Sequence, residues 1–172
     1  NSVSAGIIVT NSTNCSFKDI TIQNSLERGI VIRNSSFINI ENSRFLENAK
    51  GGLMIQNGSN NVYVNKCEMT GGKYSSNWSA GIVVTSLKPI SEYGIRDQFD
   101  NNDFFPKEFD FHVNDMPWAV LIENSIIYDN QSSGVYIDGG CGNVLYHNSI
   151  YNNDKEGVCL DFFASFNIVQ EN

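Results

Sequence analysis

The sequence predicts an all-β fold, a parallel solenoid whose short strands stack as successive coils around one apolar core. A glycine-led apolar segment recurs along the chain, and period-two alternation of apolar residues follows each copy. The composition also disfavours long helices, because 24 of the 172 residues are asparagine, a mediocre helix former. A chain of this length with 41% hydrophobic residues is large enough for one domain with a substantial core.

Each repeat opens with a glycine and an apolar alternation, as in Gly-Ile-Val-Ile-Arg-Asn from Gly29. The opening glycines are Gly6, Gly29, Gly52, Gly81, Gly134 and Gly157. Their successive spacings are 23, 23, 29, 53 and 23 residues, so two units carry insertions. Repeats of this length cannot bury an apolar face alone, and we expect about six coils of roughly 23 residues to share one core.

Two further short strands follow in every unit. In the second unit Ile38 and Ile40 precede a polar corner at Asn42, and Phe45 follows it. The expected corner residues are Asp19, Asn42, Lys66, Asn124, Asn148 and Asn172. The same alignment places Ile126, Val144 and Tyr146 among the apolar strand positions. Asparagine suits such corners because it tolerates left-handed backbone geometry.

Two insertions, residues 70–80 and 87–118, flank the strand at 81–85 within a single domain, residues 1–172. Long loops on a rigid scaffold are usually functional. The longer insertion is rich in aromatic and acidic residues, a combination that suits sugars because apolar sugar faces stack on rings and hydroxyls bond to carboxylates. We expect exposed platforms at Trp78, Tyr136 and Trp118, with His112 within reach of the same groove.

The candidate catalytic residues lie in the glycine-led strands. Their second and fourth positions are apolar and face the core, so the third and fifth positions face outward. The fifth-position residues are Thr10, Arg33, Gln56, Thr85, Asp138 and Asp161. Adjacent coils lie about 4.8 Å apart, so Asp138 and Asp161 are predicted neighbours on one exposed sheet. Thr85 lies beside them, and Arg33, two or more coils away, suits substrate positioning.

Two carboxylates this close repel each other when both are ionised, which raises the pKa of one of them. Such a pair supplies the acid and the base or nucleophile that cleavage of a glycosidic bond requires. The alternatives are that both are solvated strand-end residues or that they share a cation, for which Ca²⁺ is suited by its preference for hard oxygen ligands.

Charge and composition exclude several classes of protein. A net charge of −8 disfavours nucleic acids and anionic membranes as partners. No run of 18 apolar residues indicates a membrane span. The four cysteines, Cys15, Cys67, Cys141 and Cys159, lack metal-ligand spacing; their even number permits two disulfides, but free thiols are the favoured interpretation. Since neither end has a cap, we expect a longer natural chain, or coil ends covered by further segments or by a homo-oligomer.

The glycine-led openings and the asparagine corners resemble the right-handed parallel β-helix proteins of the pectate-lyase-like superfamily, with PbH1-type repeats. The resemblance covers nearly the whole chain except about 87–118. It implies a carbohydrate-active protein at the cell or virion surface or outside the cell, without a cofactor or with Ca²⁺. Superfamily members include polysaccharide lyases, glycoside hydrolases, uronan epimerases, phage tailspikes and adhesins.

Three functional hypotheses follow. The first is a polysaccharide-degrading glycoside hydrolase with Asp138 and Asp161 at its centre. The second is a non-catalytic polysaccharide-binding protein, adhesin or tailspike segment. The third is a calcium-dependent lyase or epimerase, which is disfavoured because the outward positions near Asp138 show no basic residue.

Overall fold

A computed structural model describes residues 5–86, 116–161 and 164–172. Within these residues the chain forms three parallel sheets that wrap one apolar interior. The first sheet contains β1 (Ile7–Thr10), β4 (Ile30–Arg33), β7 (Leu53–Gln56), β10 (Ile82–Thr85), β13 (Val135–Asp138) and β16 (Val158–Asp161). The predicted parallel β-helix is confirmed.

The other two sheets complete each coil. The second sheet contains β2 (Thr13–Lys18), β5 (Ser36–Glu41), β8 (Asn60–Asn65), β11 (Trp118–Glu123), β14 (Val144–Tyr146) and β17 (Ile168–Gln170). The third contains β3 (Thr21–Gln23), β6 (Arg44–Leu46), β9 (Glu68–Thr70), β12 (Ile126–Tyr128) and β15 (Ser149–Tyr151). One short 3₁₀ helix, Asn77–Ser79, lies in the loop before β10.

Alternation within the strands builds the core as the sequence predicts. In the inner coils of the first sheet the second and fourth positions, such as Ile30 and Ile32, are fully buried in the interior cluster, whereas Leu160 in the last coil, which was expected to face the core, is 46% exposed. The equivalent pairs in later coils, Ile82 with Val84 and Val135 with Ile137, lie in the same cluster. Equivalent residues of neighbouring coils pair in parallel register, so each coil buries the apolar face of the next.

The corners between the second and third sheets have left-handed backbone geometry. Their residues have φ between 48° and 56° and are Asp19, Asn42, Lys66, Asn124, His147 and Glu171. The predictions of Asn148 and Asn172 are therefore wrong by one residue. The cause is Asn143, which occupies an inward position and accepts a hydrogen bond from the backbone N–H of Val120 at 3.1 Å.

This shift also moves three apolar assignments. Leu145 is fully buried, whereas Val144 and Tyr146 are only half-buried on the other face of the strand. In the coil before, Ile127 is buried and Ile126 is exposed, so the inward assignment of Ile126 is also wrong.

The asparagine richness of the chain has a structural cause at these corners. Asn148, one residue after a left-handed position, accepts a hydrogen bond from the Ser125 N–H at 3.0 Å. Asn48 does the same for the Ser25 N–H at 3.0 Å at the next corner. Since backbone groups at bends lack strand partners, these amides satisfy polar groups that burial would otherwise leave unpaired.

The outward face of the first sheet carries a second apolar cluster. It contains the third-position residues Val31, Met54, Val83 and Tyr136, together with Ala5 and Ala80, and Trp78 and Cys159 pack against it. This face is therefore packed against other side chains rather than exposed to solvent.

The four cysteines are free thiols, as expected. Among the residues that the structure describes, no helix is long and apolar enough to cross a membrane.

Candidate functional site

A column of polar side chains runs across the last positions of the first-sheet strands. Backbone pairing places Arg33 beside Gln56, Gln56 beside Thr85, Thr85 beside Asp138, and Asp138 beside Asp161. We call these five residues the fifth-position column. The predicted adjacency of the two aspartates is confirmed at the level of strand register.

The expectation that both aspartates lie on an exposed face is wrong. Asp138 is only 2% exposed, and its neighbours Thr85 and Gln56 are equally buried. Asp161 is half-buried. The physical reason is that the outward side of this sheet is covered by packing, as the second apolar cluster shows for the adjacent third positions.

Burial makes the two carboxyl groups unequal. Desolvation, followed by the negative charge of Asp161, raises the pKa of Asp138 to about 7, and a hydrogen bond with Thr85 opposes the shift. Among the residues that the structure describes, none forms a hydrogen bond with the Oδ1 atom of Asp138. Asp138 is therefore a carboxyl group able to hold a proton near neutral pH beside a charged carboxylate.

Tyr136 connects the second apolar cluster to this pair. Its hydroxyl donates a hydrogen bond to Oδ2 of Asp161 at 3.2 Å. Its ring meets that of Trp78 edge-on, with centroids 6.4 Å apart. Burial, then the charges of Asp138 and Asp161, raise the pKa of Tyr136, so its phenol stays protonated. The expected exposure of Tyr136 is wrong, because its side chain is buried in this cluster.

Trp78 is half-buried rather than an open platform, and a charged residue that sequence reasoning missed holds its backbone in place. The buried guanidinium of Arg28 donates hydrogen bonds to the carbonyls of Trp78 and Leu53. Burial lowers the pKa of Arg28 to about 9.

Sequence reasoning also missed Asn77 and Lys155. The ammonium of Lys155 donates to Oδ1 of Asn77 at 2.9 Å, which joins the loop before β16 to the loop before β10. These two residues lie outside the repeat positions that the alternation identifies. The one sequence signal for this region was that residue 77 lies inside the first predicted insertion, residues 70–80, which was expected to be functional.

The remaining predicted residues do not meet the pair. Arg33 belongs to the column but lies three strands from Asp138. Trp118 is 49% exposed at the start of β11 in the second sheet, in register with Asn60 and bridged to Cys141. His112 and most of the longer insertion, residues 87–115, lie outside the described residues.

Two other features of the described part bear on ligand binding. Its residues contain no group of three or more histidine, cysteine, aspartate or glutamate side chains placed to hold a metal ion. An open groove of about 500 Å³ lies at the corner between the second and third sheets, lined among others by Asn42, Lys66 and Glu68. It is separate from the aspartate pair.

The three-sheet coil and its repeat agree with one protein family. The family model described as "Right handed beta helix region" matches residues 1–104 and 93–172. The chain belongs to this family. No curated protein sequence matches it.

Two solved β-helix structures resemble the chain. The A-module of the mannuronan C-5 epimerase AlgE4 from Azotobacter vinelandii aligns with a TM-score of 0.55 and 11% sequence identity. That alignment covers 94% of this chain and 53% of the module, so the chain spans about half of the module's length. The AlgE6 A-module from the same organism aligns with a TM-score of 0.30 and 15% identity, over 91% of this chain and 39% of that one. At these identities the first likeness shows the fold.

Proposed function

We propose that the protein is a carbohydrate-active enzyme that cleaves glycosidic bonds in a polysaccharide, with Asp138 as the proton donor and Asp161 as the nucleophile. The observation that carries this proposal is the unequal pair. Asp138 holds its proton up to a pH of about 7 because it is buried beside the charge of Asp161. Glycosidases need such a division of roles between two carboxyl groups.

The proposed reaction follows the retaining route, because neighbouring strands place the two residues about 4.8 Å apart. Asp138 transfers its proton to the glycosidic oxygen as the bond to the anomeric carbon breaks. Asp161 forms a bond to that carbon and gives a glycosyl ester. Water then attacks the ester, Asp138 takes up the proton of that water, and the sugar leaves with its configuration retained.

The two aspartates differ in their exposure to solvent, so the substrate is expected to contact them one after the other. Asp161 is half-buried and Asp138 is 2% exposed, so a sugar contacts Asp161 first and reaches Asp138 only when the site opens. Conformational opening of this kind is common among enzymes that exclude water from the reacting groups. The accessible part of the Trp78 ring supplies an apolar surface beside the pair.

Proton transfer at a sugar carbon, as in an epimerase or lyase, is the second candidate. The hydrogen bond between Tyr136 and Asp161 favours it, because it sets a protonated phenol beside a carboxylate. Lys155, which donates to Oδ1 of Asn77 in the loop before β10, is the candidate for the basic residue that the sequence pattern lacked. The AlgE4 module, which shares the fold, is by its name a mannuronan epimerase. A calcium ion at the aspartate pair would belong to this candidate.

The test is incubation of the wild-type protein and of Asp138→Asn and Asp161→Asn with neutral and acidic polysaccharides. A matched control is Asp19→Asn, since Asp19 lies at a corner where the next coil has asparagine. We expect new reducing ends from the wild type and the control, and at least about 100-fold less from the two site variants.

Each alternative gives a different result in the same assay. Unsaturated products indicate a lyase, and solvent deuterium in chains of unchanged length indicates an epimerase; loss of either activity with a chelator indicates calcium. Glycan binding without any product indicates a binding protein. Full activity in both site variants contradicts the assigned roles of the aspartates.

The proposal extends to where the protein works. A polysaccharide substrate fits an extracellular or surface location, and the charge of −8 fits a protein that does not bind nucleic acid. Secretion of the natural chain, tested by fractionation of its source, is the expected result.

A further inference from the structure

The open groove at the corner between the second and third sheets is built by four successive coils. Each coil contributes the equivalent residues, which are residues 19–21, 42–44, 66–68, and 124 with 126. Since neighbouring coils are about 4.8 Å apart, the groove extends over roughly 14 Å along the axis of the solenoid. Its volume of about 500 Å³ and its length suit an extended ligand rather than a single ion.

Hydrogen bonds between the coils fix the floor of the groove. The buried Ser43 hydroxyl accepts a hydrogen bond from the Ile20 N–H at 3.3 Å and donates one to the Glu41 carbonyl at 2.8 Å. In a later coil the buried Ser125 hydroxyl accepts one from the Cys67 N–H at 3.2 Å. Because these hydroxyls are engaged within the protein, the groups available to a ligand are the exposed side chains above them.

The acidic side chains of the groove already have partners. Both oxygens of Glu68 are used, since Oε2 accepts a hydrogen bond from Nε of Arg44 at 2.7 Å and Oε1 accepts one from the Tyr128 hydroxyl at 2.8 Å. Asp19, at the end of the groove, accepts a hydrogen bond from the side-chain amide of Asn42. The negative charges of the lining are therefore engaged inside the protein.

Lys66 is the cation that these contacts leave over. It lies at a left-handed corner, with φ of 51°, in register between Asn42 and Asn124. Its side chain is exposed, and none of the described residues forms an ion pair with it. Asp19 is two coils away, about 10 Å along the axis, which exceeds the screening length of about 8 Å at physiological ionic strength. The ammonium of Lys66 is therefore available to an anionic group that enters the groove.

The surroundings of Lys66 suit a sugar better than a simple anion. The amide nitrogens of Asn42 and Asn124 donate to Asp19 and Asn65, so the amide oxygens, to which no described residue donates, can accept hydrogen bonds from hydroxyl groups. Ile126 is 43% exposed in the fourth coil and offers an apolar surface to the C–H face of a ring. One cation with two flanking acceptors and an apolar side chain matches a carboxylate on a ring that carries hydroxyls.

We propose that this groove binds an acidic saccharide, with Lys66 donating to the sugar carboxylate and with the amide oxygens of Asn42 and Asn124 accepting from its hydroxyls. The groove lies between the second and third sheets, whereas the aspartate pair lies in the first, so binding here does not depend on the reaction proposed for that pair. The net charge of −8 repels anions at long range, but salt screens that repulsion beyond about 8 Å and leaves the direct contact with Lys66.

The probe is a trimer of glucuronic acid, and its methyl ester, which keeps the ring hydroxyls but removes the charge, is the matched ligand. Calorimetric titration measures the affinity, and NMR of the side-chain amides of Asn42 and Asn124 locates the ligand. The decisive variant is Lys66→Asn, because asparagine occupies the neighbouring corners and tolerates the left-handed backbone, so the fold is retained. Lys66→Arg keeps the charge. Lys50→Asn is the control, since Lys50 pairs with Glu27 at 2.7 Å outside the groove.

We expect the wild type to bind the acid at least about tenfold more tightly than the ester, because hydrogen bonds between charged groups are stronger than neutral ones. Lys66→Asn should lose at least about tenfold in affinity for the acid and little for the ester. Lys66→Arg and Lys50→Asn should stay within about threefold of the wild type. Asp161→Asn, which alters the aspartate pair, should bind as the wild type does and show the same shifts of the two amides.

Three results overturn the proposal. The first is equal affinity of the wild type and Lys66→Asn for the acid, or no binding of the acid at millimolar concentration. The second is displacement of the trimer by an equal concentration of inorganic sulfate, which indicates a site for simple anions. The third is loss of binding in Asp161→Asn with unchanged binding in Lys66→Asn, which places the saccharide at the aspartate pair instead of the groove.

Discussion

Replacing Asp138 with asparagine should remove a pH dependence from the stability of the fold. The pKa of Asp138 is raised from 3.8 to about 7 by burial and by the charge of Asp161. In the unfolded chain the carboxyl ionises near its ordinary pKa of about 4. Between these values the folded protein retains a proton that the unfolded chain has lost, so the wild type loses stability as the pH rises from about 4 to 7.

The size of the effect follows from the shift. One pKa unit corresponds to about 1.4 kcal/mol, so the shift of Asp138 corresponds to a loss of about 4 kcal/mol in the free energy of unfolding. Asparagine has nearly the same shape and cannot ionise. Relative to the wild type, Asp138→Asn should therefore gain about 4 kcal/mol between pH 4 and pH 8.

Urea denaturation at several pH values, followed by fluorescence, measures this difference. With a slope of about 2 to 3 kcal/mol per molar urea, the midpoint of the variant should rise relative to the wild type by about 1 to 2 M across the pH range. Asp19→Asn is the control and should follow the wild type. Parallel curves for Asp138→Asn and the wild type would refute the claim that Asp138 is a buried proton carrier.

Three further predictions concern the coil, its corners and the site. Gly134→Ala should destabilise the protein by about 1 to 3 kcal/mol in thermal unfolding, because the new Cβ would lie 2.5 Å from Cγ2 of Ile150. Gly157→Ala is the control and should destabilise the protein far less, since its new Cβ would lie 3.6 Å from the same atom. Equal destabilisation by the two variants would contradict the stacking of the coils. Asn48→Ala should lower the free energy of unfolding by about 2 to 4 kcal/mol in urea denaturation. The reason is that Asn48 is fully buried and forms hydrogen bonds with both the Ser25 N–H and the Ile22 carbonyl. A loss below about 0.5 kcal/mol would refute the role of the amides at the corners. Tyr136→Phe should lower kcat at least about tenfold while leaving the melting temperature within a few degrees; unchanged kinetics would remove Tyr136 from the site.

The sequence was sufficient to predict the coil because the repeat reports the fold directly. Gly29 and Gly52 are 23 residues apart, and the strands that follow them pair residue by residue. Prediction was wrong where a polar residue took an apolar place. Asn143 turns inward to bond the backbone of the preceding coil, and this moved the expected corner from His147 to Asn148. The alternating pattern is recognised from apolar residues alone, so it cannot identify an inward position that is occupied by a buried amide side chain.

The site was less predictable for two physical reasons. Strand periodicity predicts that the Asp138 side chain points outward from the sheet, but it does not predict whether other residues bury that side chain. The pKa of Asp138 depends on this burial. Asn77 and Lys155 meet from two loops, 78 residues apart in sequence, and loop positions follow no repeat. The pairing of Asp138 with Asp161 was predictable, because it depends on register alone.

Direct titration of the Asp138 carboxyl group tests the central claim, that one member of the pair keeps its proton near neutral pH. The measurement is NMR of protein labelled with ¹³C at the aspartate carboxyl carbons, with Asp138→Asn to assign the signal. We predict an inflection at about 7 in the wild type and a lower one in Asp161→Asn, which lacks the neighbouring charge. An inflection near the ordinary value of about 4 in the wild type would contradict the account.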